Sequence, residues 1–191
     1  MLHETVGSAD SAINTFQTAH SDEEIQVSYH SLIRRDGTII YMVPPEKRAF
    51  GAGNSVFRGS KGAETVRTHK HFPPSVNNFA YHISLETPPG GANDYETHSG
   101  YSEEQYRSLA WLVAHTAIPD ERITTHQEID QSGSRIDPRS FDRQQLLSIL
   151  HSLPRPYLNP VTGTFPAPWG VSVIKKDWKF DTPLLAAGQF I

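Results

Sequence analysis

Histidine and carboxylate side chains follow several short β-rich runs of this sequence, at the points where those runs end. His3 follows an apolar residue pair, Glu86 follows the run "ISL", and His126 follows the run "RITT". Asp137 comes shortly after His126, beyond a polar loop that contains a glycine. Because ligands collect beyond the carboxyl ends of strands in α/β sheets, we expect these four side chains to lie near one site.

The residue types in this group are those of a catalytic zinc site. The chain has no cysteine, so imidazole and carboxylate groups must hold any metal. Two histidines and one aspartate leave a fourth position open for a water molecule, whose pKa zinc lowers to about 7. We therefore predict that His3, His126 and Asp137 bind Zn²⁺. Hydrogen-bonded histidines on an ordinary polar loop are the alternative interpretation of the same residues.

The composition describes a globular protein. The chain has 191 residues, of which 37% are hydrophobic and 20% charged, and this length suffices for one domain with a full core. The formal net charge of −4 and the pI near 6.2 argue against nucleic acid as a partner, because phosphate binding needs clustered Lys and Arg. No apolar stretch has the length of a membrane span, and the first residues lack the features of a signal peptide.

Two strand regions are well marked. Residues 27–44 predict a hairpin with a two-residue turn at Asp36-Gly37, a dipeptide that tolerates positive φ. Residues 80–87 alternate apolar and polar side chains and predict another strand. Between them, residues 51–78 are rich in Gly, Ser and Asn and read as one long surface loop.

Three helices are predicted around these strands. Ser102 and Gln105 have the spacing of a capping box at the start of the first helix. A second helix is predicted to begin at Ser140, and a short one to cover Ser11 to Thr18. The elements indicate a single α/β domain over residues 1–153, with a mixed central sheet of about five or six strands and helices on both faces. Residues 154–191 are rich in proline and read as a tail or linker.

Five segments of the chain occur in the order of motifs of a known enzyme family. They are "LHETVGSADSAINTFQ", "VSYHSLIRRDGTIIYMVP", "RAFGAGNS", "ISLE" and "THQEID…SRIDPRSFD". Over about residues 2–153, the chain resembles the zinc N-acetylmuramoyl-L-alanine amidases. This superfamily includes phage lysozyme-type amidases, the cytoplasmic recycling amidase and peptidoglycan recognition proteins. The resemblance implies that superfamily's fold, and zinc ligands at the three positions named above.

The resemblance also implies roles for other residues. Glu86 matches the catalytic carboxylate of recycling-type members, although a surface carboxylate is the alternative. Arg135 falls where many members carry a lysine near the oxyanion, although it could simply pair with an acidic neighbour. Tyr29 matches a tyrosine that phage-type members place over the metal-bound water, although strand aromatics are often core residues. We further predict substrate contacts for His30 and Asn54, although a packed strand histidine is the alternative interpretation of His30.

Two departures from the family pattern concern possible ligands. Many relatives carry a histidine in an "AxHAG" loop, where this chain has Gly51 in "AFGAG". Any substrate contact of that imidazole is therefore absent or replaced. The pair His69 and His71 has the composition of a metal site, and a solvated basic patch is the alternative interpretation.

The predicted reaction is hydrolysis of the amide between N-acetylmuramic acid and the L-alanine of a stem peptide. A non-catalytic peptidoglycan-binding module and a structural zinc domain are the alternatives. The partner is peptidoglycan or a soluble muropeptide, and we expect a monomer. Because the chain starts close to its first strand, an upstream segment is expected before Met1. Cytoplasmic recycling and action at the cell envelope therefore both stay open.

Overall fold

The computed structural model describes residues 1–18, 20 and 25–155, and the backbone alone of Val173–Lys175. The strands are β1 Leu2–Glu4, β2 Ser31–Ile33, β3 Ile39–Tyr41, β4 Phe57–Gly59, β5 Gly62–Glu64, β6 Ile83–Leu85 and β7 Val173–Lys175. The α-helices are α1 Ala9–Gln17, α2 Glu103–Ala114, α3 His126–Ile129 and α4 Arg143–His151. Short 3₁₀ turns cover Val76–Asn78 and Asp120–Arg122.

Five of the described strands form a mixed sheet in the order β1-β6-β2-β3-β7. β6 lies between β1 and β2 and is parallel to both, whereas β2 and β3 are antiparallel. His3 pairs with Ser84 in β6, and Leu32 pairs with the same residue from the other side. The predicted mixed sheet is confirmed, and β6 is one of its interior strands.

Alternation along the strands divides the core between the two faces of the sheet. Ile33 and Ile39 pack with Leu109 of α2 and Leu146 of α4 on one face. Their strand neighbours, Leu32 and Ile40, pack on the other face with residues of α1. Burial of one apolar side chain of this size contributes about 1.5–3 kcal/mol. The prediction of helices on both faces of the sheet is confirmed.

The hairpin between β2 and β3 is confirmed, but its turn is longer than predicted. The amide of Gly37 donates to the carbonyl of Arg34 at 2.9 Å, and the amide of Arg34 donates to the carbonyl of Thr38 at 2.9 Å. Three residues therefore form the loop, and only the last, Gly37, has a positive φ, of 84°. That pattern is a type I turn followed by a left-handed glycine.

The helix ends follow their capping side chains. α2 has the predicted capping box of Ser102 and Gln105. α4 begins later than predicted, because Asp142 caps it by accepting the amide of Gln145 at 2.9 Å, so Ser140 lies outside the helix. α1 begins earlier than predicted, because Ser8 is its N-cap.

The region from residue 51 to 78 is not one irregular loop. β4 and β5 form a small antiparallel sheet inside it, and a 3₁₀ turn follows. Phe57 and Val76 from this region pack with Ile129 of α3 in a third apolar cluster. Tertiary packing thus orders a segment whose composition alone indicates a loop.

The predicted tail at residues 154–191 falls mostly outside the described residues. Within it, β7 pairs parallel with β3, with Ile39 opposite Val173. The boundary at residue 153 stays a prediction. In the part of the chain that the structure describes, no helix has the length and apolar character needed to cross a membrane.

Candidate metal centre

Two elements carry the predicted histidine ligands. His3 is the middle residue of β1 rather than the end of a strand, and it is fully buried. His126 is the first residue of α3, so the run before it does not form a strand, although Thr125 makes one parallel bridge to Leu2. Thr125 caps α3 in a capping box with Glu128, which fixes the direction in which the helix leaves the sheet.

The structure brings the three predicted ligands together. His3 Nδ1 lies 3.2 Å from Asp137 Oδ2, and His126 Nδ1 lies 3.0 Å from Asp137 Oδ1. One ligand atom from each of the three residues lies within 4.8 Å of the others. Bonds of about 2.0–2.2 Å from one ion to imidazole nitrogen and carboxylate oxygen require ligand atoms about this far apart. Two Nδ1 atoms and a carboxylate therefore fit Zn²⁺.

The protonation states of the ligands also suit a metal. Burial lowers the pKa of His3 to about 4, and this effect outweighs the hydrogen bond to Asp137, which raises it. Burial alone would raise the pKa of Asp137, but hydrogen bonds with His126 and His3 hold it well below its usual range. At neutral pH, His3 is therefore a neutral imidazole and Asp137 a carboxylate, which are the forms that bind zinc.

A cleft of about 370 Å³ opens beside His126. Tyr29 and Arg135 line it, together with Phe50 and Phe72. The Tyr29 ring stacks on that of His3, with centroids 4.4 Å apart. Burial raises the pKa of Tyr29, and the charge of Asp137 raises it further, whereas the positive charge of Arg135 acts against both. The phenol is therefore protonated at neutral pH and can donate a hydrogen bond.

Glu86 lies directly after β6, as predicted, but its carboxylate is held by the backbone. Oε1 accepts the amide of Ala9, the first residue of α1, at 3.0 Å. Oε2 accepts the amide of Arg35 at 3.0 Å, and the Arg35 guanidinium lies 3.7 Å from Oε1. These contacts anchor α1 and the hairpin to the sheet. Glu86 is absent from the residues that line the described cleft, and its catalytic role stays a prediction.

The two predicted substrate contacts have different surroundings. His30 is buried, and its Nδ1 accepts the amide of His82 at 2.9 Å while its Nε2 lies 2.9 Å from the carbonyl oxygen of Lys47. Both ring nitrogens therefore bond to backbone groups, which favours the packed-histidine interpretation, and the substrate contact of His30 stays a prediction. Asn54 is exposed near the cleft, and its role stays a prediction.

An ion pair that the sequence did not predict links the two segments that carry the candidate ligands His3 and Asp137. Glu4 follows His3, and Arg139 follows Asp137 by two residues. Arg139 Nε donates to Glu4 Oε1 at 2.5 Å, and both side chains are almost fully buried. His98 and other polar groups bond to the second oxygen of Glu4. Charged residues are rarely fully buried unless they are paired. Glu4 and Arg139 are far apart in the sequence, so no local pattern marks them as partners.

The basic patch at residues 69–71 does not join the metal centre. The rings of His69 and His71 are 5.2 Å apart and both residues are exposed. Among the described residues, the one group of three ligand side chains that could hold a metal is the His3, His126 and Asp137 group.

Comparison with known proteins agrees with this geometry. A family model described as "N-acetylmuramoyl-L-alanine amidase" matches residues 1–140. The "1,6-anhydro-N-acetylmuramyl-L-alanine amidase AmpD" of Salmonella typhimurium strain LT2 is 31% identical over 123 residues, which are 62% of this chain and 54% of that protein. The protein of the same name from strain SL1344 matches to the same extent. The chain thus spans about half the length of these curated relatives.

A solved structure supports the fold. The crystal structure of a selenomethionine derivative of AmpD matches with a TM-score of 0.53 and 26% sequence identity. The match covers 78% of this chain and 82% of that one. The mixed sheet with helices on both faces is therefore the α/β fold seen in that structure.

Proposed function

Because the chain belongs to the N-acetylmuramoyl-L-alanine amidase family, we propose that it hydrolyses the amide bond between N-acetylmuramic acid and L-alanine in a zinc-dependent reaction. The observation that carries this proposal is the convergence of His3 Nδ1, His126 Nδ1 and the Asp137 carboxylate. A non-catalytic peptidoglycan-binding module would have no need of a complete ligand set beside an open cleft. A structural zinc domain would close the site with a fourth protein ligand.

The proposed substrate is a soluble muropeptide with a 1,6-anhydro sugar. This choice rests on the names of the two curated relatives, which act on that form of the sugar. A cleft of about 370 Å³ can hold the segment around one scissile amide. Intact peptidoglycan is the competing substrate. Action on soluble muropeptides would fit a recycling role in the cytoplasm.

The residues around the metal centre have complementary chemical roles in the proposal. A zinc ion held by the three ligands would supply a Lewis acid that acidifies water and polarises the amide carbonyl. The Tyr29 hydroxyl, kept protonated by burial, donates a hydrogen bond to the oxygen that gains negative charge. Arg135 adds positive charge on the same cleft. Each of these groups stabilises the transition state more than the ground state.

Glu86 is the proposed proton carrier between the attacking water and the leaving nitrogen. An ionised carboxylate offers about four acceptor positions. The amides of Ala9 and Arg35 use two of them, so Glu86 retains acceptor capacity. Tyr29 is the next candidate, but a phenol whose pKa is raised is a poor base.

Parallel digestion tests the proposed reaction and substrate. Zinc-loaded protein is incubated with 1,6-anhydro-N-acetylmuramyl peptides and, separately, with purified sacculi, and mass spectrometry identifies the cleaved bond. The expected result is release of free peptide with an L-alanine N-terminus, faster from the soluble substrate. His126→Ala is the matched control and should release none. Tight substrate binding without any cleavage would favour the binding-module alternative.

A further inference from the structure

A second buried histidine lies directly behind the ligand His3. His82 precedes β6, is fully buried, and its Nδ1 lies 2.9 Å from His3 Nε2. The two rings are stacked, with centroids 5.2 Å apart and an angle of 23° between their planes. His82 is outside the ligand group, and its Nδ1 contacts the proposed ligand His3.

The position of this contact decides which nitrogen of His3 can bind a metal. A neutral imidazole has one protonated and one unprotonated nitrogen. His3 presents Nδ1 toward Asp137, so a metal bound between them requires the proton of His3 on Nε2. The acceptor at Nε2 is His82 Nδ1. Metal-binding histidines usually donate this second N–H to a carboxylate or carbonyl, and here an imidazole occupies that place.

The orientation of His82 is fixed from behind by His30. The Lys47 carbonyl can only accept, so the proton of His30 is on Nε2 and its Nδ1 accepts the backbone amide of His82. The rings of His30 and His82 are stacked, with centroids 5.7 Å apart. The remaining nitrogen of His82, Nε2, has no hydrogen-bond partner in the described part of the chain. An unpaired buried nitrogen costs stability and calls for a functional reason.

Gly51 provides the space that His82 occupies. A Cβ atom at this position would lie 2.4 Å from His82 Nδ1 and 3.0 Å from Cδ1 of Tyr29. The first contact is shorter than real Cβ atoms show, and the buried imidazole cannot move without leaving His3. Glycine is thus required here by the close approach of the ring.

We propose that His82 is a positioning residue that holds His3 with Nδ1 free for zinc, and that Gly51 is a glycine because any side chain would displace His82. The inference rests on the proposed zinc site and adds a residue outside its ligand group. It predicts that changes at positions 82 and 51 act on metal affinity through one contact.

The first test compares two substitutions of His82. His82→Asn keeps an acceptor close to the position of Nδ1. His82→Leu removes this acceptor and puts an apolar side chain of similar size in its place. Zinc dissociation constants are measured by competition with a chelator, and the visible spectrum of the Co²⁺ form reports ligand geometry. We expect His82→Leu to weaken zinc binding about 10- to 100-fold and to alter the Co²⁺ spectrum, and His82→Asn to restore most of the affinity. A purely structural role for His82 predicts no advantage of Asn over Leu, and that outcome would overturn the proposal.

A double-mutant cycle tests the link to Gly51. Gly51→Ala should weaken zinc binding in the wild-type background and have a clearly smaller effect in a His82→Ala background, because the clashing ring is gone. Gly53→Ala is the matched control on the same loop, since a Cβ there meets nothing within 4 Å. It should leave zinc affinity unchanged. Additive effects of the two substitutions would contradict the proposed contact.

A measurement on the unsubstituted protein does not depend on any variant folding. Nitrogen-15 NMR of the histidine side chains in the zinc-loaded protein identifies the protonated nitrogen of each ring. We expect His3 and His82 both to carry the proton on Nε2. A proton on Nδ1 of His82 would refute the inference even if zinc binds. Failure of the wild-type protein to bind zinc would instead refute the proposed function.

Discussion

Three buried histidines make the environment of the metal centre sensitive to acid. Burial lowers the pKa of His3 and of His30 to about 4, and lowers that of His82 well below its ordinary value. In the unfolded chain each of these groups has a pKa near 6.5. Between about pH 4 and pH 6.5, the folded protein therefore binds fewer protons than the unfolded chain.

The metal-free protein should lose stability as the pH falls below about 6.5. Because the unfolded state takes up protons that the folded state excludes, the free energy of unfolding falls with decreasing pH, by up to about 1.4 kcal/mol per pH unit for each such group. The effect should fade above pH 7, where these histidines become mostly neutral in the unfolded state as well. Chemical denaturation at pH 7.5, 6.0 and 5.0 in the presence of a chelator measures this. Equal stability at pH 7.5 and 5.0 would contradict the burial of neutral histidines.

Glu86 is expected to affect both rate and stability. In Glu86→Gln, one of the two backbone amides that the carboxylate accepts faces an NH₂ group instead of an oxygen, which should cost about 1–3 kcal/mol. If Glu86 carries the proton, kcat should also fall by roughly 10² or more. The rate is measured well below the melting temperature, per bound zinc. Near-normal turnover of Glu86→Gln would assign the proton transfer to another group. Tyr29→Phe is the companion variant, because Tyr29 is the next candidate.

At the scale of elements, a buried ion pair fixes β1 relative to the loop that carries Asp137. Glu4 and Arg139 are each close in sequence to a candidate ligand, so their contact holds the segments of His3 and Asp137 together. Arg139 also donates to the carbonyls of Gly91, Asn93 and Tyr95, which ties the segment after β6 to the same point. The precision of the metal centre depends on this second layer of contacts.

Arg139→Met should destabilise the fold and weaken zinc binding together. Removing one partner of a buried pair leaves an uncompensated charge and costs about 3–5 kcal/mol. Arg107→Met, which breaks an exposed pair with Glu103 on α2, is the control and should cost less than about 1 kcal/mol. Thermal melting and chelator competition measure the two effects. Equal losses of stability in both variants would contradict a special role for the buried pair.

Local signals decided which elements could be predicted from the sequence. The hairpin and α2 were predicted because Gly37 and the Ser102 capping box act within a few residues. α3 was missed because a four-residue helix gives no periodic pattern, and its first residue follows a β-branched run. The three candidate metal ligands could be proposed from residue type and family motif. The Glu4–Arg139 pair and the contact between His82 and His3 could not, since both join distant segments.

At the scale of the whole molecule, the described domain reaches Arg155. This residue pairs with Asp120 and donates to the carbonyl of Ile118, so the chain is held against the domain up to that point. The backbone of β7 pairs with β3 at the edge of the sheet, which leaves β3 unpaired on one side if the tail is removed. The proposed ligands and cleft residues all lie before residue 155.

A chain that ends after Arg155 should remain folded, bind zinc and retain activity. We expect a modest drop in melting temperature from the loss of the β3–β7 pairing, and a resistant fragment of the same length in limited proteolysis of the full chain. Cooperative thermal melting and zinc content are the measurements. Aggregation or non-cooperative melting of the shortened chain would place residues 156–191 within the folding unit.

Restoring zinc in steps to the chelated protein tests the central claim most directly. The protein is stripped of metal, zinc is added in measured fractions of one equivalent, and hydrolysis of the N-acetylmuramyl–L-alanine amide is followed at each step. If His3, His126 and Asp137 form one catalytic site, activity should be absent without metal and rise in proportion to zinc until about one ion per chain is bound. Full hydrolysis by verified metal-free protein would contradict it.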